Sequence, residues 1–277
     1  MELNHIDHGM AFDFGRASED YAKYRDIYPA SFYAKLRKFS IGLPGQHVLD
    51  LGTGTGVLPR GIYAQKLEFQ ALTGVEPNLR FTGVDISPNQ IEMARALSRG
   101  MPIDYLVCPA EEIDFPPETF DAVTACQCFF YFDREVLMPK LHQALKPGGR
   151  FAILSMFWLP KESEIVSQSE QLVLKYNPEW TGGGLRRKNK IEQKRSTKMK
   201  WARPQLKTEH RFFYCEDLPF TRESWHGRML ACRGIGASSL SAEKIAAFEA
   251  DHLRYLETLP EKFTIPHQMM MLILRKV

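Results

Sequence analysis

The stretch Val48-Leu49-Asp50-Leu51-Gly52-Thr53-Gly54-Thr55-Gly56 decides the fold. An apolar run ends in an acid, and glycines follow at three alternating positions. The pattern predicts a buried parallel strand, a tight turn and the N-terminus of a helix. Glycine is required where backbone takes positive φ or lies against a ligand. A strand feeding such a turn places that ligand at the carboxyl edge of a sheet.

Outward from this stretch, strand and helix patterns alternate. Residues 57–71 read as the helix after the turn. Two similar phrases follow, Leu72-Thr73-Gly74-Val75-Glu76 and Phe81-Thr82-Gly83-Val84-Asp85, each resembling a short strand that ends in an acid. The second is followed by a well-signalled helix, with Ser87 as cap, Pro88 at the first position and Gln90 at the capping-box position. Further strands are expected over 104–108, 120–126 and 151–157. A helix capped by Asp133 stands before the last of these and is stopped by Pro147-Gly148-Gly149. Such alternation argues for a doubly wound parallel sheet in an α/β fold. After Pro160 the signals weaken: helices are expected over 162–176, 221–232 and 241–259, a strand over 207–214 and a last strand over 268–274.

A net charge of +3 is too small to argue for nucleic acid by itself. The first ten residues have no long apolar run, which argues against a secretory signal, and no stretch reaches the length of a membrane span. The five cysteines form no CxxC pair, so neither zinc nor a disulfide framework is expected. They read as small buried hydrophobes in a reduced, cytoplasmic compartment. No metal site is expected.

A glycine turn after a first strand and an acid after a second define a nucleoside site, the acid accepting from ribose hydroxyls. A dinucleotide fingerprint needs GxGxxG. Here the order is Gly52-x-Gly54-x-Gly56, which counts against an NAD-dependent oxidoreductase.

Residues 48–56, 81–87, 120–126 and 146–153 resemble the successive motifs of class I S-adenosylmethionine-dependent methyltransferases of the small-molecule type. The resemblance covers residues 20–157 well and the remainder poorly. It implies a doubly wound, seven-stranded, mostly parallel sheet whose last strand runs antiparallel. It also implies one methyltransferase domain over 1–277, a lid segment over 12–40 and variable substrate-cover insertions within 160–265. The implied cofactor is S-adenosylmethionine, with S-adenosylhomocysteine as product.

By the same resemblance, Gly52 and Gly54 pass close to the methionine part of the cofactor, and Asp50, just before them, belongs to the cofactor site. Asp85 holds the ribose hydroxyls and Ile86 packs on adenine. Ala110 and Glu111 lie at the adenine edge, and Cys126 offers a backbone contact to the cofactor's amino group. Glu76 stays open as an alternative ribose acid. Many relatives carry an Asp where this chain has Pro109, so Glu111 or a backbone carbonyl takes over contact with the adenine amine. Tyr21 and Arg25 resemble the lid residues that hold the cofactor carboxylate, and a guanidinium can do so bidentately.

On the acceptor side, Phe130 and Tyr131 are the leading candidates, because aromatic faces attract a sulfonium. Trp158 and Trp225 are weaker ones. No residue is marked as a general base; His142 and His226 read as structural or exposed. The expected reaction is in-line methyl transfer to a carboxylate or hydroxyl of a small molecule. The basic run over 186–203 keeps open a methyltransferase acting on RNA or protein, although such runs are more often solvated.

Overall fold

The computed structural model describes residues 13–17, 22–24, 28–74, 78–185 and 206–277. The strands are β1 (His47–Leu51), β2 (Arg80–Asp85), β3 (Ile103–Val107), β4 (Phe120–Cys126), β5 (Leu145–Trp158), β6 (Leu206–Thr221) and β7 (Lys262–Lys276). The helices are α1 (Ala30–Lys38), α2 (Val57–Thr73), α3 (Pro88–Leu97), α4 (Arg134–Ala144), α5 (Glu164–Tyr176), α6 (Arg222–Leu230) and α7 (Ala242–Glu257). The sheet has seven strands in the order β3-β2-β1-β4-β5-β7-β6. β1 pairs in parallel with β2 and β4, β2 with β3, and β4 with β5. The closing strands run antiparallel, as the resemblance implied.

The chain forms two compact units. One, the sheet unit, comprises Tyr28–Ser155, Met199–Phe213 and Met270–Val277. Its core packs Leu49, Leu51, Phe120, Val123, Leu137, Leu141 and Phe151. The other, the helical unit, comprises Met1–Ile27, Met156–Lys198 and Tyr214–Met269. It contains α5, α6 and α7, with Trp225, Val173, Met229 and Phe248 buried. The long strands β5, β6 and β7 contribute residues to both units.

Several elements depart from expectation. Leu72 and Thr73 belong to α2, and Gly74 caps that helix with φ 70°, so the first doubled phrase does not open a strand there. Glu76, the alternative ribose acid, lies outside the described residues, as do Tyr21, Arg25 and the basic run over 186–203. Pro147-Gly148-Gly149 does not separate helix from strand. β5 begins at Leu145, and the register shifts between Phe120↔Leu145 and Ala122↔Arg150, so the glycines sit in an irregularity inside the strand. β6 and β7 run well beyond the segments the local pattern marks, because only cross-strand pairing reveals their polar ends as strand.

Capping follows the sequence closely. Ser87 accepts from the Gln90 N–H at the start of α3, and the Asp133 carboxylate accepts from the N–H groups of Glu135 and Val136 at the start of α4.

Candidate functional site

Register brings the predicted motifs together. Leu51 of β1 is paired with Val84 of β2 and Ala125 of β4. The chain leaves all three strands at one edge, so Gly52, Asp85 and Cys126 are neighbours there. Asp85 in turn pairs with Val107, which carries the edge on to residues 108–111.

The turn is built as the glycines require. Gly52, Gly54 and Gly56 take φ values of 58°, 57° and 75°, all left-handed. A Cβ on Gly52 would lie 2.8 Å from Cβ and Sγ of Cys128, and one on Gly56 would lie 2.2 Å from the Tyr105 hydroxyl. The turn is held down by the Thr53 N–H donating to the Val84 carbonyl at 3.0 Å. The hydroxyl of Thr55 is buried and finds no hydrogen-bond partner among the described residues, whereas that of Thr53 is turned to Asp50.

Asp85 is latched to this turn. Its Oδ2 accepts from the Gly54 N–H at 2.8 Å, and its Oδ1 from the Ser87 N–H at 2.9 Å. A carboxylate offers about four lone-pair sites, so these bonds orient the group and leave capacity for further donors. Burial pushes its pKa up, while the backbone donors of Ser87 and Gly54 pull it down. Beside it Ile86 is 70 % exposed, an apolar side chain standing free at the sheet edge.

Asp50 plays a different part. It is buried, and the Thr124 hydroxyl donates to its Oδ1 at 2.6 Å. Burial pushes its pKa up to about 6, against the Thr124 hydrogen bond. Asp50 thus ties β1 to β4 beneath the turn.

At the third strand end, Ala110 is buried, and Glu111 Oε1 accepts from the Asp133 N–H at 2.6 Å. One oxygen of the predicted substitute for the missing Asp is therefore spent on the start of α4. At the fourth strand end, the Cys126 thiol donates to the Tyr28 hydroxyl at 3.2 Å. Gln127 takes φ 66°, a conformation side-chain-bearing residues rarely adopt. Its N–H donates to the Leu154 carbonyl at 2.9 Å, which fixes the direction in which the chain leaves β4. The Cys128 thiol donates to the Leu51 carbonyl at 3.0 Å. Burial first, then the neighbouring carboxylate of Asp50, holds that thiol well above the usual range, so it is no thiolate nucleophile. No individual role is legible in the sequence for Gln127, Cys128, Tyr28 or the two threonines, although Tyr28 closes the lid pattern that begins at Tyr21 and the loop from Gln127 follows β4.

The aromatic run after β4 divides by facing. Phe129 is buried against Phe151 at a ring separation of 5.4 Å, and Phe132 packs on the core. Phe130 is exposed and lies 4.1 Å from the Tyr131 ring, tilted by 41°.

Trp158 and Trp225 belong to the helical unit. Their rings meet edge to face at 5.5 Å. Trp225 is wholly buried, and its indole N–H donates to Ser169 Oγ at 2.9 Å. The Trp158 N–H donates to Glu170 Oε1 at 2.5 Å. Glu170, also wholly buried, further accepts from the Gly184 and Leu185 N–H groups, both at 2.7 Å. The Arg228 guanidinium lies 4.7 Å over the Trp158 ring. His226, read as structural or exposed, meets His252 nitrogen to nitrogen at 2.9 Å.

Strand order, the left-handed glycine turn and the latched acid define a nucleoside-binding methyltransferase fold. Residues 49–153 match the family model described as a methyltransferase domain. The ubiquinone/menaquinone biosynthesis C-methyltransferase of Desulfotalea psychrophila is 33% identical over 141 residues, which cover 49% of this chain and 51% of that protein. The enzyme of the same name from Burkholderia multivorans is 29% identical over 154 residues, covering 53% of this chain and 60% of that protein. The chain thus spans about half the length of the curated relatives it matches. A solved structure from Anaeromyxobacter dehalogenans, provisionally assigned as a type II methyltransferase, aligns with a TM-score of 0.56 at 20% identity, covering 90% of this chain and 96% of that one. A provisionally assigned methyltransferase from Bacillus halodurans aligns at 0.50 and 16% identity, covering 89% of this chain and 99% of that one. Residues 49–153 are thus a region similar to a methyltransferase domain, set within a Rossmann-like methyltransferase fold.

The site's donors and acceptors fit S-adenosylmethionine. Asp85 keeps acceptor capacity for ribose hydroxyls, Ile86 offers an apolar face for a base, and the glycines of the turn allow close backbone approach.

Proposed function

We propose that this protein transfers a methyl group from S-adenosylmethionine to a small-molecule acceptor through a hydroxyl or carboxylate. The observation that carries the reading is the Asp85 carboxylate fixed by the Gly54 and Ser87 N–H groups, at an edge where Gly52 and Cys126 also emerge. Asp85 accepts from both ribose hydroxyls. Gly52 and Gly54 approach the methionine end through backbone, and Ile86 covers one face of the adenine. Ala110 packs at the adenine edge, and the free oxygen of Glu111 or a neighbouring carbonyl meets the adenine amine. The backbone at Cys126, set by the left-handed Gln127, accepts from the cofactor's amino group. Asp50 supports the turn from below, and Tyr21 with Arg25 holds the carboxylate.

When bound, S-adenosylmethionine supplies a methyl already activated on a sulfonium. What the chain must add is alignment of the acceptor, exclusion of water and, for a protonated acceptor, a place for its proton. Phe130 and Tyr131 present aromatic faces that favour the sulfonium and line the acceptor side. The curated relatives are named as C-methyltransferases of ubiquinone/menaquinone biosynthesis, so an acceptor carbon belongs in the test. No described helix is long and apolar enough to cross a membrane. All five cysteines are free, which supports a reducing, cytoplasmic setting.

The test is transfer of labelled methyl from S-adenosylmethionine to separated pools of small metabolites and of RNA. Label in the metabolite pool supports the reading. Label only in RNA moves the function to the basic run over 186–203.

A further inference from the structure

We propose that Tyr105 is the positioning residue for the methionine half of the cofactor, its hydroxyl, tied to Ser98, setting where the far end of the glycine turn comes to rest; this deepens the cofactor reading above and rests on it. Every residue involved belongs to the sheet unit. Tyr105 stands on β3 and is 6% exposed. Its side chain packs with Ile91 and Ala94 of α3. The ring then leans over Gly83, its register partner on β2. A Cβ on Gly83 would lie 2.8 Å from that ring and 2.9 Å from Thr53 Oγ1. The hydroxyl ends against Gly56, where a Cβ would lie 2.2 Å from it. One side chain thus meets a helix, the second strand and the end of the turn.

The two ends of the turn are held differently. At the first end, the Thr53 N–H donates to the Val84 carbonyl and the Gly54 N–H to Asp85. At the other end, Gly56 opens α2 and meets the Tyr105 hydroxyl. That hydroxyl lies 2.8 Å from Ser98 Oγ, one of the two donating to the other, and both side chains are buried. Ser98 is the C-cap of α3, so the tip of the ring is tethered to the end of a helix. The Arg95 guanidinium donates to the Tyr105 carbonyl at 2.8 Å, which fixes the backbone from which the ring reaches. Burial pushes the phenol up to about 12, against the Ser98 hydrogen bond, so it stays a neutral hydroxyl. For packing alone, a phenyl ring opposite an alanine would serve as well, because removing both partners of a buried hydrogen bond can be nearly neutral. What the polar pair adds is direction. It fixes where the ring tip stands, and with it where Gly56 stops. A turn released at Gly56 shifts about its Asp85 end, and the backbone offered to the methionine half loses its fit. Ribose and adenine keep Asp85 and Ile86.

The experiment uses the full chain and two ligands, S-adenosylhomocysteine and 5′-methylthioadenosine. The second keeps adenine, ribose and sulfur and lacks the amino-acid end. Affinities are read by calorimetry, that of the weaker ligand by displacement of the stronger. The wild type should bind S-adenosylhomocysteine the more tightly. Tyr105→Phe keeps the ring and removes the hydroxyl. It should bind S-adenosylhomocysteine about tenfold more weakly, equivalent to about 1.4 kcal/mol, and 5′-methylthioadenosine within about twofold of the wild type. Ser98→Ala removes the tether and should give the same split. The double variant should lose no more than either single one, because one hydrogen bond is gone in all three. A general loosening of the fold would weaken both ligands together, so equal losses overturn the proposal. So do an unchanged S-adenosylhomocysteine affinity, additive losses in the double variant, or a wild type that binds the two ligands equally. If Tyr105→Phe does not fold, Ser98→Ala decides alone. A wild type that binds neither ligand overturns the methyl-transfer reading and this inference with it; a wild type that binds both, with variants that show no split, overturns this inference alone.

Discussion

The two units use their carboxylates in opposite ways. In the sheet unit, Asp85 is held by two backbone N–H groups of loops at the sheet edge and retains lone-pair capacity beyond them. In the helical unit, Glu170 is wholly enclosed and has accepted from the Trp158 indole and the Gly184 and Leu185 amides. The first carboxylate is fixed but still has something to offer a ligand. The second is consumed in holding its own neighbourhood together. Burial alone therefore does not mark a binding acid; the remaining acceptor capacity does.

That contrast can be broken by substitution. The largest effect should come from Gly56→Val, which combines a φ of 75° with a Cβ 2.2 Å from the Tyr105 hydroxyl. Strain and overpacking together should cost about 3–5 kcal/mol, read as a lowered urea midpoint, with cofactor binding lost as well. Glu170→Gln should destabilise by about 3 kcal/mol, because an amide cannot accept from every donor now aimed at that side chain. Calorimetry on the folded fraction should show S-adenosylhomocysteine affinity unchanged. Asp85→Ala, in contrast, should cost cofactor affinity. Two hydrogen bonds to a charged group are worth about 1.5–3 kcal/mol each, so affinity should fall about 100-fold or more, and loss of the Gly54 and Ser87 bonds should lower the urea midpoint too. A Glu170 variant that loses the cofactor, or an Asp85 variant that keeps it, would erase the distinction between the units.

Acid should also separate them, with a smaller effect. In the helical unit, burial lowers His252 from 6.5 to about 3 and His267 to about 4, and lowers His226. The unfolded chain then binds more protons than the folded one, so their contribution is complete above pH 6.5 and is lost as pH falls toward 3. Asp50 of the sheet unit is raised to about 6. Its sign is opposite: it favours the fold below its unfolded value of 3.8, and that contribution is lost as pH rises through 6. Trp158, Trp180 and Trp225 all lie in the helical unit. In a Trp201→Phe background, tryptophan fluorescence should lose its native signal at a higher pH than far-ultraviolet circular dichroism does. Coincident acid transitions would show that the units do not differ in this way.

The same division explains what could be read before any coordinates. The sheet unit was legible because its signals are local. The apolar run into Asp50, the Ser87 cap before Pro88 and the glycines of the turn each act within a few residues, and β4 is found at residues 120–126 as expected. Where long-range pairing decides, reading failed: Pro147-Gly148-Gly149 looks like a break but lies inside β5. The helical unit hid its polar interior for the same reason. Glu170 sits on a helix and reads as a surface acid until the amides of residues 184 and 185 fold back onto it. His267 stands next to Pro266 in an apolar strand, and nothing local says that one of its nitrogens is left without a partner. Trp225 was chosen as an aromatic candidate, but its indole N–H is already spent on Ser169.

The central claim is that the glycine turn and Asp85 together grip a sulfonium nucleoside. The most direct measurement is a crystal structure of the wild-type chain grown with S-adenosylhomocysteine, with a parallel crystal grown with NAD. The account predicts the ribose hydroxyls within about 2.8 Å of the Asp85 carboxylate oxygens and the adenine against Ile86, with the NAD crystal showing nothing at this edge. A redox dinucleotide lying along residues 52–56, or a nucleoside whose ribose is bound by some other acid, would contradict it.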